Sequence, residues 1–438
     1  MKQQSRRDFM KTSGALAAAS MTMPLASMAQ QKIKVALVGT GVRGIGMWGR
    51  DLLRDQGDKV EMVGLCDINP LRVKVAQQFL QEAAGGLIPT YTDFDKMVEE
   101  TKPDRIIVTT VDSTHHEYII RGMELGCDVL TEKPMTTDEV KTQQILDTQK
   151  KTGKQVLVTF NYRFSPHRQV MKEILMSGEL GEITSVDFHW YLDIYHGADY
   201  FRRWHRLIDK SGSLWVHKAS HHFDLVNWWL EAKPTEVAAF GEIRKYGSQG
   251  PFRNDTCRGC PHQDKCNFYW DITDRNYYMK LYVECESADG YHRDGCVFRE
   301  DVTSWDTMTA TVKYDNDVSM SYSLNAFMPY EGYRIGFNCT KGRLEHRNFE
   351  RQPWVMPEQD EIVVIKNFGH REVISVPHGG GGHGGGDTRL RDMVFTPGMP
   401  DPYKQTADHI AGAYAILPGI AAKKSIFENR SVRIDELI

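Results

Sequence analysis

The chain of 438 residues lacks any surplus of basic charge: 54 Lys and Arg stand against 58 Asp and Glu, a net of −4. That balance removes nucleic acid from the expected partners. No apolar run is long enough to cross a bilayer. There is no internal repeat, and no HExxH pair to mark a helical zinc site. What remains is a composition ordinary for a globular protein and a length suited to two or three domains with ample core.

The N-terminus reads as an address. "SRRDFMK" is followed by a stretch without charge from Thr12 to Ala29, ending in the small residues "SMA" before Gln30. A basic start, a short apolar segment and a small-residue end make a signal peptide over residues 1–29. Arg6-Arg7 is similar to the twin-arginine export signal, so a periplasmic location is expected. Removing residues 1–29 takes away four cations and one anion and leaves a net of −7. The twin-arginine route carries folded proteins, which suits one that leaves the cytoplasm with a cofactor already in place.

From Lys32 onward the pattern alternates. "KIKVALVG" is a β-branched run ending at Gly39, "GTGVRG" opens a helix running to about Gln56, and "KVEMVGLCD" is a second strand ending at Asp67. In this setting Gly39 permits the tight turn, Gly41 lets backbone approach a pyrophosphate, and Gly44 allows helix and strand to pack closely. The free N–H groups of the helix start favour phosphate. Asp67 follows Gly44 by 23 residues, near the spacing of the acid that binds the adenine ribose, and its charge favours NAD over NADP. Further strand–helix pairs follow, including "DRIIVTT", "CDVLTEKP", a helix capped at Thr136 or Thr137 with Glu139 in a capping box, and "KQVLVTF". Such alternation predicts a parallel sheet covered on both faces over residues 31–160.

With "TEKP" at Thr131–Pro134 the chain resembles the Gfo/Idh/MocA family of sugar and cyclitol oxidoreductases. The likeness spans nearly the whole mature sequence: "VGTGVRG", "CDINPLR", "TTVDSTHHE", "EKP", "NYRFSP", "HKASHHFDL" and "ADHIAGAYAILPGIAAKKS". The resemblance implies an α/β protein: an N-terminal Rossmann domain, then a substrate domain over 161–438 with an open, mostly antiparallel sheet. A helix at about 405–424 would return to the Rossmann domain. It implies NAD contacts from Gly39, Gly41, Val42, Arg43, Gly44, Asp67, Thr110, His115, Glu132, Lys133 and Asn161. A carbohydrate substrate and a homo-oligomer, dimer or tetramer, are also implied.

"SLWVHKASHHFD" (Ser213–Asp224) concentrates the chemistry. His217, His221 and Asp224 lie four and three apart, one face of a helix. The resemblance makes Lys133 and His221 the pair over the nicotinamide, with Lys133 polarising the reacting hydroxyl and His221 exchanging its proton. Family dehydrogenases usually carry an aspartate where this chain has His217, so His217 is a second candidate proton carrier, and Asp224 could orient His221. Zinc on the same face is a weaker alternative.

Arg163, Tyr200, Trp204 and His205 are expected to line a sugar site, along with His383 and Asp387 of "HGGGGHGGGDTRL". A similar glycine-rich stretch occurs in NAD-dependent glycoside hydrolases. Cys257, Cys260 and Cys266 of "CRGCPHQDKC", with Cys296, fit a structural zinc or iron–sulfur centre, with disulfides the alternative after export. Two activities follow: net oxidation of a sugar, sugar acid or cyclitol hydroxyl by NAD, or a redox glycosidase that oxidises, eliminates, hydrates and re-reduces with retained cofactor. A binding protein with a dead site is a third reading, which Lys133, His217 and His221 oppose.

Overall fold

The computed structural model describes residues 31–438, so the export signal lies outside the described residues. The first sheet grows from the β-branched runs: β1 (Ile33–Val38), β2 (Val60–Cys66), β3 (Thr90–Tyr91), β4 (Arg105–Val108), β5 (Asp128–Thr131) and β6 (Val156–Val158). They lie side by side in the order β3-β2-β1-β4-β5-β6, all parallel. That doubly wound order puts a ligand crevice at the carboxyl ends of β1 and β4, where the strand sequence reverses. A helical run from Gly44 to Gln56 follows β1, the first part wound as a π-helix. The helix Glu139–Thr152 is capped by Asp138, which accepts from Lys141 N–H. The capping box expected from Thr136 or Thr137 is therefore displaced, with Glu139 as the first helical residue.

The second sheet has nine strands: β7 (Ile183–Asp193), β8 (Pro234–Glu242), β9 (Thr307–Tyr314), β10 (Ser319–Met328), β11 (Glu331–Cys339), β12 (Gly342–Arg351), β13 (Gln359–Lys366), β14 (His370–Pro377) and β16 (Val432–Arg433); β15 (Ala407–Asp408) instead pairs antiparallel with β6. β7 and β10 run parallel and the other neighbours antiparallel. Burial alternates residue by residue along β9 and β10, so one face is covered and the other wet. Trp190, Phe188, Tyr322, Tyr333 and Phe337 fill the covered face.

The helix His409–Glu428 ties the halves together. It contacts β6 and the helix Glu139–Thr152 of the first sheet's layer, and β8 and the helix Ser220–Leu230 of the second. Glycine makes this possible: a Cβ at Gly412 would sit 2.6 Å from Val158 Cγ2, and one at Gly419 would sit 2.2 Å from Trp215 O. From Ile33 to Ile438 the contacts form one compact unit.

A long connection between β8 and β9, residues 243–306, carries the cysteine motif and returns to the first sheet. There Asn69 Nδ2 donates to Cys285 O at 2.9 Å, and Arg72 Nη1 lies 2.8 Å from Asp289.

Candidate active site

The crevice at the carboxyl ends of β1 and β4 opens into a cleft of about 700 Å³. Gly39, Gly41, Val42, Arg43, Asp67, Thr110, His115, Glu132, Lys133 and Asn161 line it, with Tyr162, His196, Tyr200, Arg203, Trp204, His205, His217, Lys218, His221 and His383. The glycines act as their positions demand. Gly39 has φ +87°, and a Cβ there would strike the Thr109 backbone at 2.6 Å. Gly44 lies outside the cleft lining, where a Cβ would meet Gly39 O at 2.3 Å, so its role is helix–strand contact. Asp67 directly follows β2, its carboxylate accepting from Thr40 N–H (2.8 Å) and Asn69 N–H (2.9 Å). Arg72, the cation beside it, pairs through Nη1 with Asp289 at 2.8 Å, while its buried Nη2 has no protein partner. The residues present fit a dinucleotide: Gly39–Gly41 would face the pyrophosphate and Asp67 the ribose, with Asn161, whose buried Oδ1 has no protein partner, beyond them. The loop 243–306 adds a cover the sequence did not disclose: Tyr282 Oη accepts from Val42 N–H at 3.2 Å.

Two expected cofactor contacts serve as struts. Glu132 Oε1 accepts from Arg43 Nε (2.7 Å) and Trp48 Nε1 (2.8 Å). His115 lies between the backbone oxygens of Pro134 (2.8 Å) and Thr110 (3.2 Å). Both brace the turn that carries Lys133.

The chemistry centres on that turn. Lys133 Nζ donates to His217 O at 3.0 Å and lies 3.5 Å from His217 Nε2. His217 Nδ1 is 2.5 Å from Asp112 Oδ2, and both side chains are buried. The bond to Asp112 fixes the proton on Nδ1 and leaves Nε2 as an acceptor facing the cleft. Asp112 thus supplies, from the turn after β4, the carboxylate that the sequence lacks four residues before His221. Burial pushes Lys133 down to about 8, against the pull of Asp112 and Glu132. Burial also raises the Asp112 carboxyl, and burial with Lys133 holds His217 well below the usual imidazole range. An opposite charge and desolvation therefore compete at each member of the set.

His221 has different company. Its ring stacks on Tyr162 at 4.2 Å and meets Phe160 edge-on at 6.0 Å, and its buried Nδ1 has no partner. Burial, then Lys133 and Lys218, keeps it neutral. The stretch Ser213–Asp224 is split between two helices, Leu214–His217 and Ser220–Leu230, so His217 ends one and His221 lies in the first turn of the other. Asp224 does not orient His221: its carboxylate takes both arms of Arg163, Nε at 2.9 Å and Nη2 at 2.5 Å. This pair corrects two expectations. Arg163 is absent from the cleft lining and holds a buried ion pair, and zinc across His217, His221 and Asp224 has no third ligand.

Tyr200, Trp204 and His205 come together around His217. His205 stacks on Trp204 at 3.6 Å and meets His217 edge-on at 4.1 Å, while Tyr200 lies 5.0 Å from His217. Arg203 also faces the cleft, held by Asp199 at 2.8 Å. The glycine-rich loop is docked: a Cβ at Gly386 would be 2.4 Å from Asn161 O, and Ser165 Oγ donates to His383 O at 3.1 Å. His383 reaches the cleft. Asp387 stays behind it, accepting from Arg43, Asn161 Nδ2 (2.6 Å) and His383 Nδ1 (3.0 Å).

The cysteines do not converge. All eight are free, and among the described residues no group of three candidate ligand atoms within 4.8 Å includes a sulfur. Cys257 and Cys296 are buried, and their neighbours Thr256 and Gly295 form a bridge, whereas Cys260 and Cys266 are half-buried on a neighbouring turn. Arg202 Nη1 donates to Cys257 Sγ at 3.0 Å. The expected metal centre at Cys257, Cys260, Cys266 and Cys296 is thus not assembled.

A Rossmann layer, a dinucleotide cradle and a buried lysine–imidazole–carboxylate set define a two-domain nicotinamide-dependent oxidoreductase. Comparison with known proteins agrees. Residues 33–160 match the oxidoreductase family NAD-binding Rossmann fold, and residues 172–434 match the same family's C-terminal alpha/beta domain. The chain belongs to the Gfo/Idh/MocA oxidoreductase family. Residues 3–23 match the twin-arginine translocation signal, which indicates export by that route. The "Putative oxidoreductase YteT" of Bacillus subtilis (strain 168) is 36% identical over 422 residues, covering 92% of this chain and 98% of its own. The "D-glucoside 3-dehydrogenase" of Escherichia coli (strain K12) is 28% identical over 163 residues, 36% of this chain and 43% of its own. Among solved structures, the WlbA dehydrogenase of Bordetella pertussis in complex with NADH and UDP-GlcNAcA superposes with a TM-score of 0.63 at 16% identity, covering 92% of this chain and 99% of that one.

Proposed function

We propose that the protein oxidises a secondary hydroxyl of a sugar, sugar acid or cyclitol with NAD, and that it does so in the periplasm. The observation that carries this reading is the Asp112–His217–Lys133 set on the cleft wall beside the cofactor cradle. When bound, NAD supplies the hydride acceptor. The chain's own residues supply the rest. His217 Nε2 accepts the hydroxyl proton, Asp112 steadies the imidazolium that results, and the Lys133 ammonium donates to the oxygen as it gains negative charge. His221, neutral against Tyr162, offers a second hydrogen-bonding edge to a polyol. Trp204, Tyr200 and His205 give ring faces and polar tips of the kind that hold a sugar. Arg203 and Lys210 on the same wall suit a sugar acid.

The redox glycosidase remains a second reading, favoured by two observations. Tyr282 covers the nucleotide loop, as expected of an exported protein that keeps its cofactor, and His383 brings a further proton-handling group to the cleft. Oxidation at C3, the position named for the Escherichia coli relative, would also be the first step of such a cycle. One experiment tests both. Purified protein is denatured to identify released nicotinamide, then offered free sugars, sugar acids and aryl glycosides. NADH accumulating on a free sugar supports the oxidoreductase, while aglycone release without added NAD supports the glycosidase. Protein that neither carries nor binds a nicotinamide nucleotide removes both. We further propose a homo-oligomer formed through the wet face of the nine-stranded sheet.

A further inference from the structure

Far along the second sheet, β12 and β13 separate beyond the paired residues His346 and Ile362. Into that gap project His346 and Asp360, joined by His167 from the first turn of the helix Pro166–Met176 and His378 from the end of β14. His346, His167 and Asp360 are 3%, 6% and 8% exposed. Ligand atoms of these three lie within 4.8 Å of one another.

The hydrogen bonds leave an electrostatic gap. His346 Nδ1 donates to Glu361 O at 2.8 Å, so its Nε2 is a lone pair. That Nε2 is buried, has no partner, and faces Asp360 Oδ1 at 4.0 Å. His346 Nε2 is thus a buried acceptor without a donor, facing a carboxylate oxygen whose donor is Asn348 Nδ2. His378 Nε2 lies 3.7 Å from Asp360 Oδ2, and His167 Nδ1 lies 3.0 Å from the same oxygen. A buried acceptor left unmet is destabilising, and a cation between His346 Nε2 and Asp360 would meet it.

We propose that His167, His346, Asp360 and His378 bind a divalent transition ion of the zinc type. Ligands at about 2.0–2.1 Å in a tetrahedron stand roughly 3.4 Å apart; His167 Nδ1 lies 3.0 Å from Asp360 Oδ2 and His346 Nε2 4.0 Å from Oδ1, while His378 Nε2, 3.7 Å from Oδ2, stands outside the close trio and would move in as the fourth donor. Imidazole nitrogen with a single carboxylate selects zinc, nickel or copper over magnesium or calcium. Outer partners are in place. Glu361 O orients His346, and Asn348 Nδ2 donates to Asp360 Oδ1 at 3.2 Å. Binding through His167 Nδ1 would shift the ring proton of this neutral imidazole to its unpartnered Nε2. A groove of about 630 Å³, lined by His346, Asp360 and His378, gives access. The nearby cation Arg168 is met by Glu350 at 3.0 Å. The other three-residue cluster, Asp193, His196 and Glu331, already has cations beside it: Lys218 stands 3.5 Å from Glu331 and Arg351 3.7 Å from Asp193.

The position gives the ion a task. His378 is the first residue of the glycine-rich segment that brings His383 to the cleft, with Asp387 bonded behind it. An ion at its root would pin that loop to β12, β13 and the helix Pro166–Met176.

The test is metal content of the full-length protein as isolated, then cobalt(II) titration of chelator-stripped protein. About one ion per chain is expected, with cobalt d–d bands and no thiolate charge-transfer band. Asp360→Asn and the partly exposed His378→Ala should each weaken cobalt binding by roughly tenfold or more. The double variant Cys260→Ser/Cys266→Ser should leave it unchanged. A folded protein that holds no ion and takes up no cobalt overturns the proposal. So does uptake that ignores Asp360→Asn and His378→Ala, or that carries a thiolate band and vanishes with the cysteines.

Discussion

Replacing Asp112 by asparagine perturbs the proposed proton path at one atom. The wild-type bond is 2.5 Å long between two buried side chains, and it gains strength as His217 becomes cationic. A charge-assisted bond of this kind is worth about 1.5–3 kcal/mol. At about 1.4 kcal/mol per decade, that is roughly 10- to 100-fold in rate. Asparagine does further harm. Its amide donates to Nδ1, which moves the ring proton to Nε2, the nitrogen that must accept. A comparable tautomer inversion in the serine protease triad costs about 10⁴. The expected loss for Asp112→Asn is therefore about 10² to 10⁴ in kcat, with bound nucleotide unchanged. Loss of the carboxylate also lowers Lys133 below its value of about 8, because Asp112 is the group that most supports its charge. Steady-state kinetics across pH, together with nucleotide content after denaturation, would report both effects. A variant that turns over near the wild-type rate with its cofactor in place would refute the reasoning.

Other perturbations separate the remaining roles. Lys133 carries its charge below about 8 and loses it above, so turnover that needs the ammonium should decline as pH rises through that value; Lys133→Arg should abolish the alkaline decline even where overall activity is poor. Tyr282→Ala removes the partner of Val42 N–H, and faster nucleotide release in a filter-binding or fluorescence chase is expected with little change in fold stability. Asp224→Ala leaves the Arg163 guanidinium buried and unpaired, which should cost about 3–5 kcal/mol in urea unfolding, while activity per folded molecule stays near normal. The contrast with Asp112→Asn, which should lose activity rather than stability, distinguishes a structural carboxylate from a positioning one.

What could be read in the sequence was local. Gly39, Gly41, Gly44 and Asp67 announce the cradle because turn, helix start and acid follow one another along one βαβ unit. Lys133, Tyr200, Trp204, His205 and His383 reach the cleft from segments whose residue types already marked them. Contacts between distant segments were not legible. Asp112 meets His217 across 105 positions and Tyr282 meets Val42 across 240, and neither pairing leaves a periodic trace. The only available signal for Asp112 was its place just beyond a parallel strand's carboxyl end, in "TTVDSTHHE". Helical spacing misled at Asp224: the stretch breaks between His217 and Ser220, and Arg163 claims the carboxylate. The cysteine motif misled for a similar reason, since proximity in sequence did not bring four sulfurs together.

Single-turnover reduction of the bound nicotinamide in His217→Ala, set beside His221→Ala, tests the central assignment most directly. The account predicts that His217→Ala slows this step by at least about a hundredfold, and that His221→Ala, with cofactor retained, slows it less. Hydride transfer at the wild-type rate in His217→Ala would contradict it.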